Sequence, residues 1–234
     1  MTVSEIAEQV GIPVSSTYRI LGILEERALV ERTPDDKRVL GIRALQLGRQ
    51  LLSRNGLQIA KVARPIMADL VNTTHETVIL TALAGLDAIS VESIEGIEPI
   101  RFSFQAGRVL PLYAGASGKI LLAFGEESLV VKVLAQSSGR LYASGNRIEP
   151  AALRRQLSEA REQGYMVSSS EVDVGVTAIA SPVLLSNNSP VAGLSVAGPS
   201  TRFGLEREYA LAEAVKAAAK QIAVRYELYS PPSA

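Results

Sequence analysis

Near its start the chain reads Val10-Gly-Ile-Pro-Val-Ser15-Ser-Thr-Tyr-Arg19, and this interruption constrains everything around it. Glycine ends a helix in the left-handed conformation, and a proline two residues later forbids the helix from running on. Residues 2–10 and 16–27 are therefore two short helices across a turn. Thr2 or Ser4 caps the first, whose Val3, Ile6, Ala7 and Val10 recur at helical spacing. Ser15 is the expected N-cap of the second, with Ile20, Leu21 and Leu24 along one side. Residues 29–32 and 38–42 read as short strands on either side of Thr33-Pro-Asp-Asp-Lys37, a turn by its proline and aspartates. Helix, turn, helix, hairpin is the order of a winged helix-turn-helix.

Residues 44–54 alternate leucines with Arg49 and Arg54 and end at Asn55-Gly56, a pattern read as a linker helix. A larger unit follows. A helix over 57–71 with Ile59, Val62, Ala63, Ile66 and Leu70 precedes a strand pair, 77–83 and 88–92. Residues 100–105 alternate sides as a further strand. Helices are expected over 117–124, 126–135 and 150–163, the last closed by Gly164. Strands over 164–168, 177–185 and 191–197 come next, the last two as a hairpin about Ser186-Asn-Asn-Ser189. A long alanine-rich helix over 205–229 closes the unit, with Leu205, Tyr209, Ala212, Val215, Ala219, Ile222 and Tyr226 facing inward. The expected fold class is α+β: a winged helix-turn-helix over 1–43, a linker helix over 44–56, an antiparallel sheet flanked by helices over 57–229, and a disordered tail over 230–234.

Composition narrows the chemistry. The 234 residues contain no cysteine and one histidine, so thiolate chemistry is excluded, a zinc site would need almost wholly carboxylate ligands, and a serine–histidine triad would have to use His75. His75, between Thr74 and Glu76 at a helix end, reads as a solvated or capping residue. Glu92, Glu95 and Glu98 read as a solvated face. Glu171 and Asp173 share one side of an extended segment, but no nucleophile or oxyanion motif accompanies them. No metal, cofactor or enzymatic turnover is expected. The 24 basic and 24 acidic side chains balance, which leaves nucleic-acid binding open because placement and not the sum decides it. Apolar runs are too short to cross a membrane, and the first residues lack the basic start and apolar run of a secretory signal. A cytoplasmic protein is expected.

The segment from Gly11 to Leu21 is the most informative. A helix entering a major groove needs small hydroxyl side chains in its first turn: Ser15 and Ser16 can donate to phosphates or bases, Arg19 can reach a guanine edge or a phosphate, and Tyr18 adds a flat contact. Taken alone the segment fits a capped helix in any domain; the neighbouring helix and hairpin favour DNA. At the hairpin tip Lys37 and Arg38 are placed to graze the sugar-phosphate backbone, or Asp35 and Asp36 neutralise them in a solvated turn.

Over essentially its whole length the sequence resembles the IclR family of bacterial transcriptional regulators. The resemblance is carried by residues 2–7 and 11–21, Leu29-Val-Glu-Arg32, Leu40-Gly41, Gly107-Arg-Val-Leu-Pro-Leu-Tyr-Ala114 with Gly118-Lys119, Gly164-Tyr165 with Glu171 and Gly175, and Ala192-Gly-Leu-Ser-Val-Ala-Gly-Pro199. It implies a winged helix-turn-helix, a linker helix and a GAF-like effector-binding domain, assembled as homodimers or homotetramers on palindromic double-stranded operator DNA. Three departures stand out. Family members usually carry a helix before Thr2-Val-Ser-Glu5, and this chain begins too late for it: either the real start lies upstream or the domain is truncated, and a domain without that helix would expose Ile6, Val10, Leu21 or Leu24. Val14 replaces a position that is often basic. The wing is about one residue short.

Tyr113-Ala-Gly-Ala-Ser-Gly-Lys119 is not a phosphate loop, because Tyr113 and Ile120 occupy the glycine and hydroxyl positions such a loop requires. Two readings stay open for it: small residues opening a helix whose free N–H groups hold a carboxylate, or glycines required for close packing. By the resemblance, Leu112, Tyr113, Gly115, Ala116 and Ser117 close one side of an effector pocket, with Ser168, Glu171 and Ala178 opposite and Ser195 and Ala197 on the last strand. Ser168 stands where relatives are often acidic. The lining then suits a small organic acid of aromatic or apolar character over a very small keto acid. The leading expectation is a ligand-responsive, DNA-binding regulator of a catabolic or metabolic operon. The rival is a small-molecule-binding domain or cryptic enzyme whose N-terminal helices serve only oligomerisation.

Overall fold

The computed structural model describes residues 1–44 and 57–229, and the chain divides into two compact units, Met1–Gly56 and Leu57–Ala234. The expected linker helix, beyond Ala44, and the tail over 230–234 lie outside the described residues.

In the first unit α1 (Val3–Val10) opens on a capping box: Thr2 accepts from the Glu5 amide and the Glu5 carboxylate accepts from the Thr2 amide. Gly11, at φ 70°, ends it. The second helix, α2 (Val14–Glu26), starts earlier than expected, with Pro13 and not Ser15 at the N-cap. Proline is already fixed at a helix-compatible φ, and no side chain caps the free amides of this first turn. Strands β1 (Val30–Arg32) and β2 (Arg38–Leu40) pair antiparallel to form the wing. Of the four apolar residues that a missing helix would uncover, Val10 is exposed, Ile6 and Leu24 are half-buried and Leu21 is buried; Ile20, Ile23, Leu40 and Ile42 are exposed as well.

The second unit is a six-stranded antiparallel sheet in the order β5-β4-β3-β8-β7-β6, with helices on both faces. Its elements run α3 (Leu57–Thr74), β3 (Thr77–Ala84), β4 (Asp87–Ile94), β5 (Val109–Pro111), α4 (Ala116–Phe124), α5 (Glu127–Ser137), α6 (Pro150–Gln163), β6 (Met166–Ser169), β7 (Val176–Leu184), β8 (Pro190–Pro199) and α7 (Leu205–Tyr229). Strand alternation sorts side chains between the faces. Val78, Leu80, Ile179, Leu194 and Val196 pack under α3 and α7, while Ile79, Ala180 and Ala197 turn to the other face with α4, α5 and α6. Two expectations are corrected. Residues 100–105 form no strand: the chain there is held by side chains, the Thr77 hydroxyl donating to the Phe102 carbonyl and Arg202 to that of Ile100. Leu205 and Tyr209 are exposed, because α7 is buried only from Leu211 onward. Among the described residues no helix is long and apolar enough to cross a membrane, and no group of three His, Asp or Glu side chains could hold a metal ion.

Candidate functional site

Ser15, Tyr18 and Arg19 are related by three and four residues, so they share one face of α2. All three are exposed and Ser16 beside them is half-buried, so the helix bares hydroxyl, phenol and guanidinium groups along its first two turns. No acidic side chain occupies that first turn, which leaves the positive end of the helix dipole unopposed.

The wing differs from its expectation. Arg38 is no free cation at the hairpin tip: its side chain is 6% exposed, Nε lies 2.5 Å from Glu25 Oε1 on α2, and Nη1 lies 2.8 Å from Asp36 Oδ1. Its cross-strand neighbour is Arg32, and it is Glu25 on α2 that draws the Arg38 side chain to the helix. Lys37 is exposed and reaches Asp35 at 2.6 Å. Hydrogen bonds from Lys37 and Thr33 hold the Asp35 carboxyl below the usual carboxylate range, and Arg38 does the same for Asp36.

The second unit has a half-open cavity of about 40 Å³ on the α4 face of the sheet. Its floor is Ile79, Ala178 and Ala197, its end wall Gly115, Ala116 and Ser117, and its rim two loops. One rim loop carries Phe102 and Phe104. The other, between β6 and β7, carries Glu171, Val172 and Asp173. Gly115 adopts φ 77° with Val172 Cγ2 only 2.8 Å from where a Cβ would stand, so the loop closes directly over the start of α4. A Cβ on Gly118 would lie 2.6 Å from the Pro111 carbonyl, so that glycine is required for close packing.

Two of the N–H groups that open α4 are taken by the protein itself, and no acceptor within the described residues reaches those of Ser117 and Gly118. The Gly115 amide donates to Glu171 Oε2 at 2.9 Å and the Ala116 amide to Ser168 Oγ at 2.8 Å. Glu171 Oε1 accepts from Lys119 Nζ at 2.6 Å, and Gln156 accepts a second bond from the same ammonium. Burial pushes the Lys119 pKa down, against the pull of Glu171. Burial first, and the Glu171 charge second, raise Tyr142 to about 12.

Of the ten residues expected around the pocket, Gly115, Ala116, Ser117, Ser168, Glu171, Ala178 and Ala197 line the cavity. The other three stand elsewhere. Leu112 is fully buried in the core beneath α4, Tyr113 packs half-buried on the same core, and Ser195 lies behind the wall, accepting from Ser117 Oγ at 2.8 Å. Phe102, Phe104, Leu110, Asp173 and Val176 line the cavity without having been anticipated. The one available signal was the alternation of 100–105, which puts both phenylalanines on one side. Asp173 pairs with Arg108, both Nη atoms reaching its two carboxylate oxygens at 3.0 Å, and the Arg108 guanidinium stacks 5.0 Å from the centre of the Phe104 ring.

Comparison with known proteins agrees with this architecture. Residues 1–34 match the IclR helix-turn-helix domain and residues 52–224 the bacterial transcriptional regulator IclR C-terminal domain. The HTH-type transcriptional regulator KipR of Bacillus subtilis is 34% identical over 222 residues, covering 95% of this chain and 88% of that protein. The crystal structure of the Thermotoga maritima IclR matches with a TM-score of 0.69 at 30% identity, over 97% of this chain and 91% of that one. That of an IclR homolog from Microbacterium hydrocarbonoxydans complexed with 4-hydroxybenzoate matches with a TM-score of 0.77 at 26% identity, over 97% and 92%. With a helix-turn-helix followed by a helix-flanked antiparallel sheet, and both matched in that order, the chain belongs to the IclR family of bacterial transcriptional regulators.

Proposed function

We propose that the chain is a ligand-responsive, DNA-binding regulator that takes a small aromatic acid in its second unit and controls a catabolic or metabolic operon. The observation that carries the reading is the presence, on one chain, of an α2 face baring Ser15, Tyr18 and Arg19 and of an aromatic-rimmed cavity closed by ion-paired loops. Ser15, Ser16, Tyr18 and Arg19 enter the major groove and Lys37 meets the backbone, while Arg38 supports the wing from behind. A homodimer, or a tetramer of two dimers, presents two such helices to half-sites one or more helical turns apart. The effector acts through its different affinity for the DNA-competent and DNA-incompetent arrangements. The aromatic rim and the 4-hydroxybenzoate complex of the Microbacterium homolog support the ligand class.

The test is fluorescence anisotropy of the full chain on duplex DNA from the promoter nearest its own gene, over a salt series, with and without 4-hydroxybenzoate. Affinity should fall linearly on a log–log salt plot, Arg19→Ala should weaken it by about tenfold or more, and the acid should shift it. Salt-independent binding, or an unchanged Arg19→Ala titration, would sink the DNA-reading assignment. Binding to DNA that no aromatic acid alters would sink the effector assignment alone.

A further inference from the structure

The two rims of the cavity are held very differently. The loop between β6 and β7 is fastened to α4, to residues 143–144 and to Ser200. Glu171 bridges the Gly115 amide and Lys119, which is 1% exposed, and withdrawing it would strand a buried ammonium. The Glu171 and Ser170 carbonyls accept from the Ala143 and Ser144 amides, the Ser170 amide donates to the Val176 carbonyl, and the Gly175 carbonyl accepts from the Ser200 amide. The other rim is the run from Glu98 to Ala106, which belongs to no helix or strand. Among the described residues none of its amides finds an acceptor. A stretch of backbone that makes no bonds through its donors is among the first parts of a fold to open.

Both ends of that run are fixed. Before it, the Gly96 amide donates to Thr77 Oγ1 at 3.0 Å and the Ile97 amide to the His75 carbonyl at 3.2 Å. After it, the Gly107 amide donates to the Ser90 carbonyl, and Asp173 holds the Arg108 guanidinium. Between these anchors the main chain is latched by two side chains: Thr77 Oγ1 donates to the Phe102 carbonyl at 2.5 Å, and Arg202 Nη1 to that of Ile100 at 2.7 Å. Arg202 is itself held, since its other nitrogens bind the fully buried Glu76 carboxylate. The remaining ties, from Arg101 and Ser103 to Glu95 and from His75 to Glu98, lie in solvent and hold little. Only Phe102 and Phe104 turn from this run to line the cavity. The cavity measures about 40 Å³, whereas an apolar cavity that takes a benzene ring is roughly 150 Å³. An aromatic ring is therefore seated only when a wall gives way, and the phenylalanine wall costs less to move than the one tied through Glu171.

We infer that the run from Glu98 to Ala106 is the gate of the pocket and that Thr77 and Arg202 are the positioning residues that latch it: an aromatic ligand is seated when their hydrogen bonds to the Phe102 and Ile100 carbonyls break and the phenylalanines swing out, while the loop carrying Glu171 keeps its place. The inference rests on the reading of the cavity as an acid site. In the complex the enlarged cavity keeps the latches apart, so they stabilise the ligand-free molecule alone. Apparent affinity is then reduced by the fraction of molecules in which the gate is unlatched.

The experiment is isothermal titration of the full chain, Thr77→Val, Thr77→Ser and Arg202→Lys with 4-hydroxybenzoate, with thermal melts to compare their folding. Thr77→Val takes a hydroxyl from a fully buried position and should lower stability, yet it should tighten the acid by about fivefold, the worth of one hydrogen bond that entry no longer has to break. Thr77→Ser keeps the donor and should bind as the unmodified chain does. Arg202→Lys leaves a cation for Glu76 but loses the fork that spans to Ile100, and should tighten the acid likewise. Ile179→Val, a core truncation on the other face of the sheet, is the control for lost stability and should leave affinity unchanged. Acid binding that is weakened or unchanged in both latch variants overturns the gate and leaves the acid pocket in place. If neither the chain nor any variant takes up the acid, the acid pocket falls, and the gate is judged without ligand by trypsin cleavage after Arg101. Both latch variants should speed that cut by about fivefold, and an unchanged rate overturns the gate.

Discussion

Lys119 Nζ lies 2.6 Å from Glu171 Oε1, with both groups nearly sealed from water. The ammonium is on the first turn of α4, a helix whose residues from Ala116 to Ala123 are all buried, and the carboxylate is on the loop that closes over that helix. Glu171 spends its second oxygen on the Gly115 amide, so one side chain fixes the helix start, the buried cation and the pocket rim together.

Removing either partner should therefore be costly and removing both should not. Lys119→Met or Glu171→Gln alone leaves an uncompensated buried group, about 3–5 kcal/mol in comparable interiors, while the double variant Lys119→Met/Glu171→Gln should recover most of that loss. Urea unfolding of the four proteins gives the coupling directly. Additive losses would mean that the two groups do not depend on each other.

The same pair sets a pH dependence. Burial lowers the Lys119 pKa in the folded chain below its ordinary value of 10.5, so between the two values the unfolded chain binds the extra proton and stability rises with pH. In Glu171→Gln the opposing pull of the carboxylate is gone, and the rise should begin at lower pH and be steeper. Thermal melts of that variant from neutral pH towards 10.5 check the sign; a falling or flat profile relative to the unmodified chain contradicts it.

The wing offers a separation of roles. Lys37 is exposed at the tip, whereas Arg38 is engaged with Glu25 and Asp36. Lys37→Ala should lower the slope of log affinity against log salt by about 1, as the loss of one phosphate contact does. Arg38→Ala should weaken binding by loosening the wing from α2 and leave that slope unchanged. A slope reduced by Arg38→Ala would return Arg38 to the DNA backbone.

Much of this architecture is legible in local pattern, and its limits follow from where the forces are long-range. Period-two alternation sorts Val78 and Leu80 from Ile79, and Gly11 and Pro13 separate α1 from α2, because in each case neighbouring residues carry the signal. The rim segment over 100–105 shows the same alternation without a ladder, since its carbonyls are claimed by Thr77 and by Arg202, far away in sequence. At only three residues, β5 is too short for alternation to register. In the pocket, the small residues that open α4 are visible as composition, but what satisfies the Gly115 and Ala116 N–H groups comes from Glu171 and Ser168, more than fifty positions on. Arg108 and Asp173 are 65 residues apart, and nothing in the run around either one points to the other.

Two glycines test how far backbone and side chain are matched. On β8, a Cβ at Gly198 would fall 2.3 Å from Glu76 Oε2. That carboxylate is fully buried and cannot retreat, because Arg202 holds both oxygens, at 2.7 and 2.5 Å, and Arg207 adds a contact at 3.1 Å. Gly198→Ala must displace the strand or break the ion pairs and should destabilise the second unit by about 3 kcal/mol or more. Gly22, on α2, has nothing within 4 Å of where a Cβ would stand, so Gly22→Ala should stabilise the first unit by about 0.5–1 kcal/mol through reduced freedom of the unfolded chain. Thermal or urea unfolding of the two variants reads both signs. A tolerated Gly198→Ala would show that Glu76 is free to move, and with it the latch that Arg202 makes to the rim carbonyl of Ile100.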